Sequence, residues 1–419
     1  MNRVEVLVVG GGPAGLAAAL RLQERGVRDI LVVEREKSLG GILRQCIHDG
    51  FGLSRFGENL SGPEYARRFV SRLQESGIRV MTDATVTSLT GGRTATVVSR
   101  RGLVQVQARA VVLAMGCRER TRGALAIPGE RPAGVFTAGV AQAYMNVYNR
   151  LPAREAVILG SGDIGLIMAR RLTLEGVHVQ GVYEAMPYPG GLPRNLQQCL
   201  KDYGIPLFLS STVTWIHGDR RLEGVTISRV DERMRPVPGT EEFHPCDTLI
   251  LSVGLIPENE LALDAGVRLD PRTRGADVDE NYETSVSGIF AAGNVLHVHD
   301  LVDEVSRESE AMADAVCRYL AFPGERPGPG RRVVCGSNVR YTVPQRISGE
   351  GEFTLCLRVS RPMAGVTVTV TQGGQVIGMK KMRKALPAEM IRIEARPAAG
   401  GGEVEVSACE DCSDLHALS

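Results

Sequence analysis

The chain has 419 residues, enough for about three domains of ordinary size. Its 49 lysines and arginines nearly balance 48 acids, leaving a formal charge of +1, so no net field draws it to nucleic acid or to an anionic membrane. Its 49 glycines exceed the usual share of roughly 7% without collagen-like or Pro-rich periodicity, which assigns them to tight turns and ligand loops.

The start, with Arg3 ahead of an apolar run, is not read as an export signal because Glu5 and a glycine cluster interrupt it. No later run approaches the roughly 18 uncharged apolar residues of a membrane helix. Nine scattered cysteines, an odd number, suit a reducing compartment, so a cytoplasmic location is expected.

The first predicted elements are a strand, a glycine turn, a helix and a second strand, VLVVGGGPAGLAAALRLQERGVRDILVVE, residues 6–34. The same pattern returns without gaps at residues 156–184, AVILGSGDIGLIMARRLTLEGVHVQGVYE. Gly10, Gly12 and Gly15 match Gly160, Gly162 and Gly165, and Glu34 and Glu184 each lie 19 residues beyond the last glycine. The first glycine permits a sharp turn, the second admits a pyrophosphate to backbone N–H groups at a helix start, and the third lets helix and strand pack closely. The closing acid accepts hydrogen bonds from ribose hydroxyls. One such motif is a weak signal, but two in identical register mark two dinucleotide sites. Glu184 repels a ribose 2'-phosphate and YEAMPYP beyond it holds no arginine, so the second site is expected to take NAD(H) rather than NADP(H). The candidate contacts are Gly10, Gly12, Pro13, Ala14, Gly15, Glu34 and Arg35 in the first copy, and Gly160, Gly162, Asp163, Ile164, Gly165 and Glu184 in the second.

Between the copies, GGILRQCIHDGFGL at residues 40–53 carries Gly41, Cys46 and His48, and ARAVVLAMGCRERTRGALAIPGE at 108–130 carries Ala114 and Gly116. After them come DTLILSVGLIPENE at 247–260, with Gly254, and TSVSGIFAAGNV at 284–295, with Gly293 and Asn294. FPGERPGPGRR at 322–332 reads as a Pro/Gly linker. Beyond it, EFTLCLRVS, GVTVTVTQGGQVIGM and EMIRIEARP alternate with period two around hairpin glycines and predict a small β domain. The basic MKKMRK within it reads as a solvated face or docking patch.

Together these stretches resemble the two-dinucleotide-binding-domain flavoproteins, the superfamily of glutathione and thioredoxin reductases. Within it they look similar to the NAD/FAD oxidoreductases found beside FAD-dependent glycerol-3-phosphate dehydrogenase, and more remotely to flavin subunits of hydrogen cyanide synthase, opine oxidase and sarcosine oxidase. The resemblance implies an α/β, Rossmann-like fold in which an FAD domain (1–120 and 247–321) is interrupted by an NAD domain (121–246). A linker (322–332), a C-terminal β domain (333–408) and a tail (409–419) follow. It implies that Ala114 and Gly116 lie near FAD, Gly254 near the cofactors, and Asn294 where the family carries an acid on the ribitol chain. NAD(H) bound at the second site would meet the flavin and exchange a hydride with it.

The partner is expected to be a dehydrogenase subunit, in a homo- or hetero-oligomer, with no nucleic acid and no metal. The rival is a self-contained NADH-dependent disulfide, peroxide or oxygen reductase using Cys46 or the Cys409/Cys412 pair; a redox-sensing subunit is a third reading. Three roles stay open for Cys46: a thiol cycling through a sulfenic acid, a flavin-tuning partner of His48, or a small packing residue. A reductase thiolate needs a second cysteine a few residues away, and the segment holds none. His297 and His299, just past Asn294, are expected to be hydrogen-bonded, with a catalytic role as the alternative.

Overall fold

The computed structural model describes residues 2–322 and 330–410. They fall into two compact units, one within Met1–Cys117 and Pro257–Ser419, the other Arg118–Ile256.

In the first unit, Asn2–Val9 is the central strand. Apolar at nearly every inner position, it pairs in parallel with Ile30–Val33 on one side and with the long strand Gly102–Leu113 on the other. Arg79–Met81 and Ile289–Ala291 extend the parallel sheet at its two ends. Gly102–Leu113 also closes an antiparallel meander with Ala84–Leu89 and Thr94–Ser99. Buried strands that read as continuous Val/Leu/Ile runs need cover on both faces. One face is covered by the helices Pro13–Glu24, Gly62–Ser76 and Val302–Ala321, the other by the meander and the chain around residues 262–278.

The second unit repeats the plan. Glu155–Leu159 lies between His178–Tyr183 and Thr248–Leu251, all parallel, with Leu207–Phe208 and Val135–Thr137 at the edges and an antiparallel meander alongside. This corrects one expectation. Residues 247–256 are expected in the flavin domain, yet Thr248–Leu251 is hydrogen-bonded on both sides within the second unit's sheet, where its four buried side chains complete the core. The chain returns to the first unit only at Pro257.

The C-terminal portion packs with the first unit's residues and is all strand: a five-stranded sheet faces the three strands Val339–Val343, Phe353–Val359 and Ile391–Ala395 across a buried aliphatic core. Gly373 and Gly374, at φ +56° and +82°, make the tight turn between Met363–Gln372 and Gln375–Ala385. The MKKMRK residues lie on that last, largely exposed strand. Arg331 and Arg332, expected in the linker, open the strand Arg331–Cys335; residues 323–329 lie outside the described residues. Cys409 sits exposed in the strand Val404–Glu410, and its expected partner Cys412 lies outside the described residues. Among the described residues, no helix is long and apolar enough to cross a membrane.

Candidate functional site

In the first unit the turn after the central strand is shaped by contacts that exclude a side chain. Gly10 has φ +107°, and a Cβ there would lie 2.4 Å from the Ala114 carbonyl oxygen; one at Gly15 would lie 1.9 Å from that of Gly10. Helix Pro13–Glu24 starts at Gly12 with no side-chain cap, and Pro13 takes the first position, where its missing N–H costs nothing. The helix start therefore presents uncapped N–H groups behind a glycine without a side chain, a cradle for an anionic pyrophosphate. Glu34, 6% exposed, accepts from Gly11 N–H at 2.7 Å and from Glu36 N–H at 2.8 Å, which leaves acceptor capacity on both carboxylate oxygens for ribose hydroxyls. Arg35 beside it is exposed. Gly40 N–H donates to the Gly11 carbonyl at 2.9 Å, and a Cβ at Gly41 would come within 2.9 Å of Gly12 Cα. From the far end of the unit, Gly293 reaches the same loop: its Cβ would lie 2.8 Å from that of Ala14.

The second unit builds the same turn. Gly160 has φ +99° and would place a Cβ 2.1 Å from the Ser252 carbonyl, and helix Asp163–Leu174 starts at Gly162, again without a side-chain cap. Glu184 accepts from Ser161 N–H at 2.9 Å, Ser161 Oγ–H at 2.6 Å and Met186 N–H at 3.0 Å. Asp163, expected among the dinucleotide contacts, instead turns its carboxylate to Leu192 N–H (2.8 Å) and Asn195 (2.7 Å), fixing the loop beside the turn. Ile164 is half-buried next to it. Gly254, at φ +99°, accepts a hydrogen bond from Arg120 N–H at 3.0 Å. Both cradles suit a dinucleotide: a tight turn, an uncapped helix start and a closing carboxylate recur in each.

Cys46 and His48 lie between the helical turn Gly41–Gln45 and the helix Gly62–Ser76. The Cys46 thiol points to the Ile42 carbonyl at 3.4 Å, and its own carbonyl accepts from Gly62 N–H at 2.8 Å. Burial pushes the thiol up to about 12, which favours a neutral thiol at neutral pH. His48 lies 5.1 Å from the Phe51 ring. Among the described residues no cysteine is in a disulfide.

Helix Val302–Ala321 organises this half, and sequence reasoning missed it. Asp303 accepts from the N–H groups of Gly52 (3.0 Å), Ser54 (2.8 Å) and Arg55 (3.1 Å), pinning the segment that follows Cys46. One turn on, Glu308, 4% exposed, accepts from Gly293 N–H at 2.8 Å and from His297 and His299 Nε2 at 2.8 and 3.1 Å. The nitrogen and oxygen atoms of these three side chains lie within 4.8 Å of one another, and the carboxylate is already engaged by three N–H donors. The two imidazoles hold Glu308 well below the usual carboxylate range against the opposing effect of burial, while burial pushes His297 down. Asn294 turns its amide oxygen to His299 N–H at 3.1 Å and its amide nitrogen toward Cys117 Sγ at 3.8 Å, which leaves one amide proton for a ligand. The signal available in the sequence was an acid at 308 on the same face as the buried Val305, Met312 and Val316. A carboxylate on an apolar stripe needs a partner.

Comparison with known proteins agrees with this architecture. The chain is 27% identical to one of the opine oxidase subunits of Agrobacterium tumefaciens over 312 residues, covering 69% of this chain and 61% of that protein. It is also 27% identical to hydrogen cyanide synthase subunit HcnB of Pseudomonas protegens over 315 residues, covering 70% and 64%. The chain thus spans less than two thirds of the length of these curated relatives. In fold it is similar to T. acidophilum thioredoxin reductase, with a TM-score of 0.62 and 23% identity over 76% of this chain and 99% of that one. Residues 4–315 match the family described as pyridine nucleotide-disulphide oxidoreductase, and the chain belongs to that family of FAD- and NAD(P)-dependent oxidoreductases.

Proposed function

We propose that the chain is an electron-transfer subunit that exchanges electrons between NAD(H) and a partner dehydrogenase subunit of the glycerol-3-phosphate dehydrogenase type, by way of FAD. The observation that carries this reading is the duplicated cradle, one in each unit, each with a side-chain-free turn, an uncapped helix start and a closing carboxylate. FAD, when bound, supplies a ring that accepts two electrons from a nicotinamide and hands them on.

The protein's own residues bind and orient. Gly10, Gly12, Pro13, Ala14 and Gly15 offer the first helix start to the FAD pyrophosphate, and Glu34 and Arg35 flank its adenosine ribose. Gly41, Ala114, Gly116, Gly293 and Asn294 line the remainder. In the second unit Gly160, Gly162 and Gly165 receive the NAD pyrophosphate and Glu184 the ribose diol. Its anionic carboxylate disfavours a 2'-phosphate, which makes NAD(H) the cofactor of choice. Asp163 and Ile164 shape that loop, and Gly254 lies at the unit's boundary.

A partner subunit is supported by the two relatives named as subunits, and by the state of Cys46. A neutral thiol with its pKa at about 12 is a poor nucleophile, so Cys46 and His48 act as packing and tuning residues. The test is isolation from native cells under gentle conditions. A second flavoprotein is expected to travel with the chain, and NADH to bleach the bound flavin. Full NADH-dependent turnover of a disulfide or peroxide by the isolated chain, lost in Cys46→Ser, would overturn the proposal.

A further inference from the structure

We infer that the C-terminal β sandwich is a clamp that positions the Gly293–Asn294 turn, with Arg358 and Tyr341 as its positioning residues. The inference rests on the reading that this turn lies along FAD.

Arg358 and Tyr341 face each other across two antiparallel strands of the sandwich. Arg358 is 8% exposed and each guanidinium nitrogen has an acceptor. Nε donates to Tyr341 Oη at 3.0 Å and one terminal nitrogen to the Pro387 carbonyl at 3.1 Å. The other leaves the sandwich, donating to the Val298 carbonyl at 3.1 Å and pairing with Asp300. The second oxygen of Asp300 accepts from Met390 N–H at 2.6 Å. A guanidinium and carboxylate taken out of water and satisfied on all sides hold one geometry, because any shift leaves a buried charge unpaired. The histidine segment is thereby fixed to the sandwich immediately after the turn.

The segment before the turn is held as well. Gln345 exchanges two hydrogen bonds with Val278, at 3.0 and 3.1 Å, and Arg346 pairs with Asp277 at 2.7 Å. The sandwich therefore grips the chain on both sides of the strand Ile289–Ala291 and the turn.

From there the contacts run inward. The Tyr341 ring stands edge-on to His297 with centroids 6.2 Å apart. His297 is 1% exposed; its Nε2 meets Glu308, while its Nδ1 has no hydrogen-bond partner among the described residues. One hydrogen bond does not by itself fix the ring plane, which is set by the His299 ring at 4.2 Å and the Tyr341 ring packed against it. Glu308 in turn holds Gly293 N–H, and Gly293 abuts Ala14 in the first dinucleotide loop. A contiguous line of packed groups thus runs from Arg358 to the cradle.

The experiment uses the full-length protein, with and without FAD, as wild type, Arg358→Met, Arg358→Lys and the milder Asp300→Asn. Amide hydrogen exchange over residues 293–304 and the rate of FAD release are measured on each. In Arg358→Met, exchange in that segment and FAD release should both rise about tenfold, with partial recovery in Arg358→Lys and a smaller rise in Asp300→Asn. Should Arg358→Met not fold, Asp300→Asn carries the same test. The clamp is overturned if a folded variant exchanges faster only within residues 330–410 while the 293–304 segment and FAD release match wild type. Wild type that takes up no FAD would overturn the flavin reading instead, since the exchange measurement on the apoprotein still reports on the clamp.

Discussion

The two dinucleotide loops carry one fingerprint and are enclosed differently. In the second unit the turn itself abuts Ser252, as the first abuts Ala114, but the hydrogen bonds that close its outer side come from nearby in sequence. Ser161 Oγ–H donates to Glu184 and accepts from Gly190 N–H at 2.8 Å, and Asp163 pins the loop 29 to 32 residues ahead of it. In the first unit Gly11 replaces that serine, and the loop is closed by Gly40, Gly41 and, from far along the chain, Gly293, itself held by Glu308. A loop closed by its own neighbours opens at small cost, whereas one closed by a distant buried network opens only with it. The difference suits a nucleotide that comes and goes in the second unit and one that stays in the first.

The largest effects should come from filling the turns. Gly10→Val and Gly160→Val each drive a side chain into a carbonyl, which costs about 2–4 kcal/mol of local stability. Gly10→Val should yield colourless protein. Gly160→Val should retain flavin yet fail to be bleached by NADH, as absorbance spectra will show. Loss of flavin in both variants would erase the distinction between the loops.

Next is the buried network behind the first loop. Glu308→Ala strands the Gly293 N–H and two imidazoles, and should lower the first unit's stability by about 3–5 kcal/mol in denaturant unfolding. The pH dependence follows from the two shifts. His297 is pushed below its ordinary 6.5, so below that pH the unfolded chain binds more protons than the folded one. Glu308 is held below its ordinary 4.5, so its contribution is present above 4.5 and is lost as pH falls further. Both signs agree: the contribution of this network is full above about pH 6.5 and declines as the solution is acidified. His297→Gln should remove the upper part of that decline, between about pH 6.5 and 5, in melting curves taken across pH.

These elements differ in how far they could be read from the sequence. The cradles were legible because each is local: strand, turn, helix and acid follow in one run, so spacing alone places Glu34 and Glu184 against their turns. The β hairpin at Gly373–Gly374 was legible for the same reason. The placement of Thr248–Leu251 was not, because an apolar run of four residues fits any buried parallel strand, and only the pairing on both its edges assigns it to the second unit. Nor was the network around Glu308, whose partner Gly293 lies on another element and whose grip on the turn depends on a sandwich more than 30 residues further on. Asn294 could be named from its motif, but the His299 N–H that orients its amide oxygen could not.

Smaller effects sharpen the comparison. Glu184→Gln removes the charge that repels a 2'-phosphate, and should narrow the preference for NADH over NADPH by about tenfold, some 1.4 kcal/mol, read as the ratio of flavin-bleaching rates. The corresponding Glu34→Gln should leave that ratio unchanged. Cys46→Ser should have the smallest effect, with bleaching by NADH within twofold of wild type, as roughly neutral substitutions show. Burial raises the pKa of the wild-type thiol, which should alkylate slowly with iodoacetamide at pH 8.

The most direct measurement is an anaerobic titration of the FAD-loaded protein with NADH, followed by flavin absorbance, beside the same titration of Gly160→Val. The account predicts that NADH bleaches the wild-type flavin and leaves the variant's flavin oxidised. A wild-type protein that binds no flavin, or a Gly160→Val variant bleached as readily as wild type, would contradict it.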